Sequence, residues 1–90
     1  MVELTQTKAF QKDFRRVRLK DHKFNRLIHG LECIRAGIAL PPEYRDHSLS
    51  GKLADCREFH LSGDTLVLYR LVENQAQLIR LGSHNDLFNS

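Results

Sequence analysis

Cysteine is scarce: Cys33 and Cys56 are the only two in 90 residues. Two thiols are too few for a disulfide scaffold or a protein-built zinc cluster, so both are read as reduced cytosolic thiols, and Cys56, with no adjacent base, as structural. Long apolar runs are missing too. No stretch approaches the roughly 20 residues that span a bilayer, which excludes a transmembrane helix. The first ten residues are interrupted by Glu3, Gln6 and Lys8, so they lack the apolar middle of a signal peptide. A cytoplasmic chain with no membrane partner is expected. There is no G-x-S-x-G elbow, no Walker loop, no G-x-G-x-x-G, no internal repeat and no low-complexity tract.

What is present is a small basic domain, residues 1–90, with room for one core. Fourteen Lys and Arg against eleven Asp and Glu give a formal charge of +3. The distribution says more than the total. Lys12, Arg15, Arg16, Arg18, Lys20, Lys23 and Arg26 cluster with only Asp13 and Asp21 among them. Such a cluster is either a solvated helix face or a surface that meets phosphates.

Residues 2–6 alternate weakly and predict a short strand. Thr7 is placed to cap the helix that follows, where Phe10, Phe14 and Val17 recur at helical spacing. Asp21 offers a second cap, for a helix whose apolar face is Phe24, Leu27, Ile28, Leu31 and Ile34, with Arg35. Gly37 ends that helix, because glycine accepts the left-handed backbone of a C-terminus. Gly30 within it costs about 1 kcal/mol relative to alanine, and Pro41 and Pro42 forbid continuation. Residues 56–61, 65–73 and 77–82 predict three strands, turning at Ser62-Gly63-Asp64 and Asn74-Gln75-Ala76. Residues 83–88 read as a loop or a single helical turn. The order β-α-α-β-β-β predicts a two-layer α+β domain, with an antiparallel C-terminal meander and both helices on one face.

Side-chain parity sorts that sheet. With three-residue loops, Phe59, Leu61, Val67, Tyr69, Leu71, Ile79 and Leu81 share the face that meets the helices. Glu58, His60, Leu66, Leu68, Arg70, Arg80 and His84 take the other. In this register His60, Leu66 and His84 form one cross-strand row, with about 10 Å between the two histidine backbones.

Five histidines are many for this length. His22 and His29, in the basic helical half, read as solvated helix residues. His47, His60 and His84 each adjoin an acid or a turn. Histidine is a base or an acid near neutral pH, and two of them across a bond can remove one proton and donate another. Structural hydrogen bonding is the bland alternative. Arg80 is suited to hold a phosphate oxygen by a forked contact, and Asp64 to orient a histidine. A His47, His60, Asp64 and His84 metal set lacks any H-x-x-x-H or C-x-x-C spacing, and Arg80 beside it would repel a divalent cation, so neither metal nor cofactor is expected.

Four blocks in order carry a resemblance: Tyr44-Arg45-Asp46-His47-Ser48-Leu49-Ser50-Gly51; Cys56-Arg57-Glu58-Phe59-His60-Leu61; Leu66-Val67-Leu68-Tyr69-Arg70; and Ile79-Arg80-Leu81-Gly82-Ser83-His84-Asn85-Asp86-Leu87-Phe88. The chain resembles the YafQ branch of the RelE/ParE toxin superfamily, closely in its C-terminal half and by element order in its helical half. The resemblance implies a microbial ribonuclease-like fold. It also implies a toxin of a type II toxin–antitoxin pair: a metal-independent endoribonuclease that cuts messenger RNA in the ribosomal A site. Its partners would be a DinJ- or RelB-like antitoxin, in a hetero-oligomer, and the ribosome with its message. Carried over, the family's catalytic positions fall on His47, His60, Asp64, Arg80, His84 and Phe88. Lys12, Arg15, Arg16, Arg18, Lys20 and Lys23 would then face ribosomal RNA. Thr65 stands where the family carries an aromatic residue. The rival class is a non-nucleolytic ParE-like toxin that binds a protein such as gyrase.

Overall fold

The computed structural model describes residues 1–88. A first strand, β1 (Glu3–Gln6), leads into helices α1 (Lys8–Val17) and α2 (Asp21–Ala36). A two-residue strand, β2 (His47–Ser48), follows between single helical turns. The meander β3 (Arg57–Ser62), β4 (Thr65–Val72) and β5 (Gln75–Gly82) comes next, and the short helix α3 (His84–Phe88) ends the described chain. The five strands form one sheet in the order β1-β5-β4-β3-β2, with β1 parallel to β5 and the other pairs antiparallel. No helix among the described residues is long and apolar enough to cross a membrane.

The α+β meander with helices on one face is as expected. Phe10, Leu27 and Ile34 of the helices are buried against Phe59, Leu61, Val67, Tyr69, Ala76, Leu78 and Leu81 of the sheet. The Thr7 hydroxyl accepts from the Phe10 amide at 3.0 Å, capping α1. Gly37 ends α2 at φ +73. Gly30 has a reason that outweighs its propensity cost. A Cβ there would lie 3.1 Å from Tyr44 Cε2 and 3.2 Å from Phe59 Cε1, so its absence lets α2 approach the sheet.

Several local expectations need correction. Lys20, not Asp21, is the N-cap of α2 and makes no side-chain cap bond. Asp21 is the first helical residue, where a carboxylate still suits the helix dipole. The buried face of α2 is Leu27, Gly30, Cys33 and Ile34. Phe14, Phe24 and Ile28 are exposed and line an open apolar groove. Strand β2 was not foreseen, because two residues carry no periodicity.

The second hairpin turns at Glu73-Asn74, since Val72 pairs with Gln75 and Glu73 takes the left-handed backbone at φ +55. Register then shifts between Leu68 and Tyr69, so Ile79 bulges and falls outside the core, which Leu78 and Ala76 enter instead. Leu71 is exposed. The first hairpin has a two-residue loop plus an irregularity at Leu61, equivalent to the expected three-residue loop, and His60 does pair with Leu66. Leu66, however, faces Gly82 and not His84. His84 lies beyond the strand in α3.

Candidate active site

Strand β3 sets the centre of the site. Glu58 and His60 are two residues apart, so they share the face away from the helices, and both are buried. Pairing puts His47 of β2 opposite Glu58. Loop anchors hold β2 in place: the Tyr69 hydroxyl donates to Asp46 Oδ1 at 2.7 Å, and Arg57 Nε approaches the same oxygen at 3.3 Å. Burial, then the bond to Asp46, pushes the Tyr69 phenol well above its ordinary value, so it stays a donor. His47 Nδ1 donates to the Arg45 carbonyl at 2.6 Å, which fixes the ring and turns Nε2 inward.

The other side is built by α3. Ser83 Oγ accepts from the Asp86 amide at 3.1 Å, and Asp86 Oδ2 sits 3.5 Å from the Ser83 amide. This reciprocal pattern is a capping box. It starts the helix at His84, which is thereby returned toward His60.

The result is one carboxylate oxygen at the focus of three imidazoles. Glu58 Oε2 lies 3.3 Å from His47 Nε2, 3.3 Å from His60 Nε2 and 3.6 Å from His84 Nε2. The His60 contact is at ion-pair distance but outside hydrogen-bond geometry, and Glu58 Oε1 has no hydrogen-bond partner among the described residues. Ring centroids are 6.2 Å apart for His47–His60 and 6.0 Å for His60–His84. The side chains of His47 and His84 are about half exposed, whereas His60 and Glu58 are enclosed. Phe88 lies 5.5 Å from the His84 ring and is partly exposed. Asp64 Oδ1 is 3.4 Å from both the amide and Nδ1 of His84.

His47, His60, His84, Asp64 and Phe88 therefore come together. Arg80 is only partly with them. Its backbone closes a row running His47, Glu58, Leu68, Arg80 across four strands, but its guanidinium turns to Asp13, with Nε 2.6 Å from Oδ2 and Nη2 3.2 Å from Oδ1. The basic residues divide likewise. Lys12, Arg15, Arg18 and Lys20 are exposed. Arg16 pairs with Asp13 and Asp86, and Lys23 donates to Thr65 Oγ1 at 2.8 Å.

Glu58 and Asp13 were missed by sequence reasoning. The Glu-x-His alternation on a strand was the available signal for Glu58. Asp13 gave none beyond being an acid in a basic run.

The case against a metal also changes. His47, Glu58 and His60 offer one ligand atom each within 4.8 Å of one another, with Glu58 rather than Asp64 supplying the carboxylate. Their 3.3 Å contacts match the roughly 3.3 Å edge of a tetrahedron with bonds near 2.0–2.1 Å. The Arg80 guanidinium turns to Asp13, which offsets part of its charge. The His47, Glu58 and His60 side chains offer three donors of the kind that a zinc- or copper-type ion takes.

Residues 2–89 match the family model described as a bacterial toxin of type II toxin–antitoxin system, YafQ. The mRNA interferase toxin YafQ of Escherichia coli K12 is 28% identical over 80 residues, covering 88% of this chain and 87% of that protein. A metal-bound toxin from Helicobacter pylori superposes with a TM-score of 0.88 at 36% identity, covering 98% of this chain and all of the other. The E. coli DinJ–YafQ complex gives a TM-score of 0.82 at 27% identity, covering 98% and 99%.

Proposed function

The chain belongs to the YafQ family of bacterial toxins from type II toxin–antitoxin systems, and on that premise we propose that it is an endoribonuclease that cuts messenger RNA in the ribosomal A site. The observation that carries this reading is the convergence of three histidine Nε2 atoms on Glu58 Oε2. The His47 and His84 side chains are both about half exposed, and their Nε2 atoms, 3.3 and 3.6 Å from that oxygen, are therefore at most about 7 Å apart. A phosphodiester between them can hydrogen-bond to both at about 2.7–3.0 Å.

The reaction follows from these positions. The 2′-hydroxyl attacks the adjacent phosphorus, and the bond to the 5′-oxygen breaks. One fragment ends in a 2′,3′-cyclic phosphate and the other in a 5′-hydroxyl. His47 takes the 2′ proton, with His60 behind it, and His84 protonates the leaving oxygen. Glu58 offsets the positive charge that each imidazole carries in turn. Arg80 stabilises the phosphate through the guanidinium edge that Asp13 leaves open, and Phe88 stacks on a base beside His84. DNA lacks the nucleophile. No step requires a metal. An ion held by His47, Glu58 and His60 would occupy the nitrogens that move protons, so we read metal as a competitor of the reaction.

Lys12, Arg15, Arg18 and Lys20 supply a salt-dependent grip on ribosomal RNA phosphates. The partner in the resting state is a cognate antitoxin, as the DinJ–YafQ complex suggests, and the site of action is the cytoplasm. The test is cleavage of message on programmed ribosomes by the purified chain, abolished by the antitoxin encoded beside it. A folded chain that leaves ribosome-bound message intact contradicts the reading.

A further inference from the structure

We propose that Asp13 is the positioning residue for Arg80 in the RNA cleavage proposed above: it grips one edge of the guanidinium and presents the other to the scissile phosphate. The inference rests on that functional reading and adds a residue from the helical layer to the site.

Asp13 is an unusual place for a charge. It lies on the inner side of α1 and only 6% of its side chain is exposed. A carboxylate in that position is costly unless every lone pair is used. It is used heavily. Besides the fork to Arg80 Nε and Nη2, Oδ2 accepts from the Leu81 amide at 3.0 Å and Oδ1 from Arg16 Nη2 at 3.2 Å.

The backbone explains the location. Strand β1 pairs with β5 only as far as Leu78. Thr7 then continues along the edge, its amide donating to the Leu78 carbonyl and its hydroxyl to the Ile79 carbonyl. Beyond that point the Leu81 amide has no strand beside it, and Asp13 takes its place. The carboxylate is thus fixed to the backbone next to Arg80, so the fork is aimed by the sheet edge rather than by a mobile side chain.

Two consequences follow for Arg80. The fork occupies Nε and one hydrogen of Nη2, which leaves Nη1 and the second Nη2 hydrogen as an intact bidentate edge for a phosphate. It also settles a competition. Arg80 shares its cross-strand row with Glu58, two strands away or about 10 Å between backbones, and Glu58 Oε1 is a buried acceptor without a partner. Without Asp13, the guanidinium has a second carboxylate to turn toward, and pairing there would remove both groups from the reaction.

The experiment is a double-mutant cycle on single-turnover cleavage at saturating programmed ribosomes, with ribosome binding and thermal melting measured for each protein: parent, Asp13→Asn, Arg80→Ala and the double variant. Asp13→Asn should slow cleavage about tenfold or more with ribosome affinity unchanged, and should cost nothing further once Arg80 is alanine. Equal slowing in both backgrounds, or an unslowed D13N, overturns the proposal. Because D13N also loosens the β5 edge, a second measurement avoids it. In Arg80→Ala the Asp13 socket remains, so millimolar guanidinium should restore cleavage while methylammonium, which cannot fork, should not. No rescue, or equal rescue by both, overturns the proposal. The functional reading is tested separately by the parent itself: a parent that cuts no message refutes the function, whereas an active parent with an unslowed D13N refutes only the role of Asp13.

Discussion

Glu58 and His47 stand directly opposite one another on paired strands, with carboxylate Oε2 3.3 Å from imidazole Nε2. The pair links a buried carboxylate to a half-exposed imidazole. Its cost should be visible in stability. Among the described residues Glu58 is a buried carboxylate with one oxygen unpartnered and only histidines at ion-pair distance, an arrangement that costs stability. Glu58→Gln should therefore slow cleavage about tenfold to a hundredfold while leaving the melting temperature at neutral pH equal to or above that of the parent. A rate like the parent's, or a large loss of stability, would show that the carboxylate is structural.

The metal reading makes a separate prediction. Micromolar zinc or copper should inhibit cleavage, EDTA should reverse the inhibition, and EDTA alone should leave the rate unchanged when ribosomes are kept intact with magnesium. Titration calorimetry should show weaker metal binding for His47→Gln. Activity that disappears in EDTA and returns with zinc would place the metal inside the reaction.

Asp13 predicts the acid limb of stability. Burial pushes its carboxyl up, but Arg80, the Leu81 amide and Arg16 outweigh burial and hold it below the ordinary value of 3.8. A carboxyl lowered on folding contributes stability that is full above its unfolded value and lost as pH falls through its folded value. The melting temperature should thus fall from about pH 5 downward, and Asp13→Asn should flatten that fall. Melting curves against pH check this; an equally steep acid limb in D13N contradicts it.

Gly30→Ala should destabilise the chain by about 1–3 kcal/mol, despite alanine's better helix propensity, because the added methyl meets Tyr44 and Phe59 side chains at 3.1 and 3.2 Å. Denaturant unfolding measures it. A stabilised variant would mean that α2 is free to move away from the sheet.

Strands β1, β3, β4 and β5, the α1 cap and the α2 stop were legible because periodicity, a threonine and a glycine are local signals. The histidines were legible as residue types and by resemblance, and the His60–Leu66 pairing by parity. What the sequence hid was non-local. The bulge at Ile79 and the left-handed Glu73 moved the second hairpin's register, so the row expected through His84 runs through Gly82 instead. The capping box from Ser83 to Asp86 then brought His84 back by a different route. The Arg80 fork to Asp13 joins residues at opposite ends of the chain, and the carboxylate at the focus of the three imidazoles is Glu58, whose neighbours in space come from β2, β3 and α3.

The most direct test of the site is single-turnover cleavage of message on programmed ribosomes by His84→Ala beside His22→Ala, with ribosome binding assayed for both. The account predicts a loss of about 10²–10⁴-fold for H84A with near-normal binding, from removal of acid catalysis, and a rate within about twofold of the parent for H22A, which changes an exposed residue of α2. An H84A chain that cuts as fast as the parent, or an H22A chain as damaged as H84A, would contradict it.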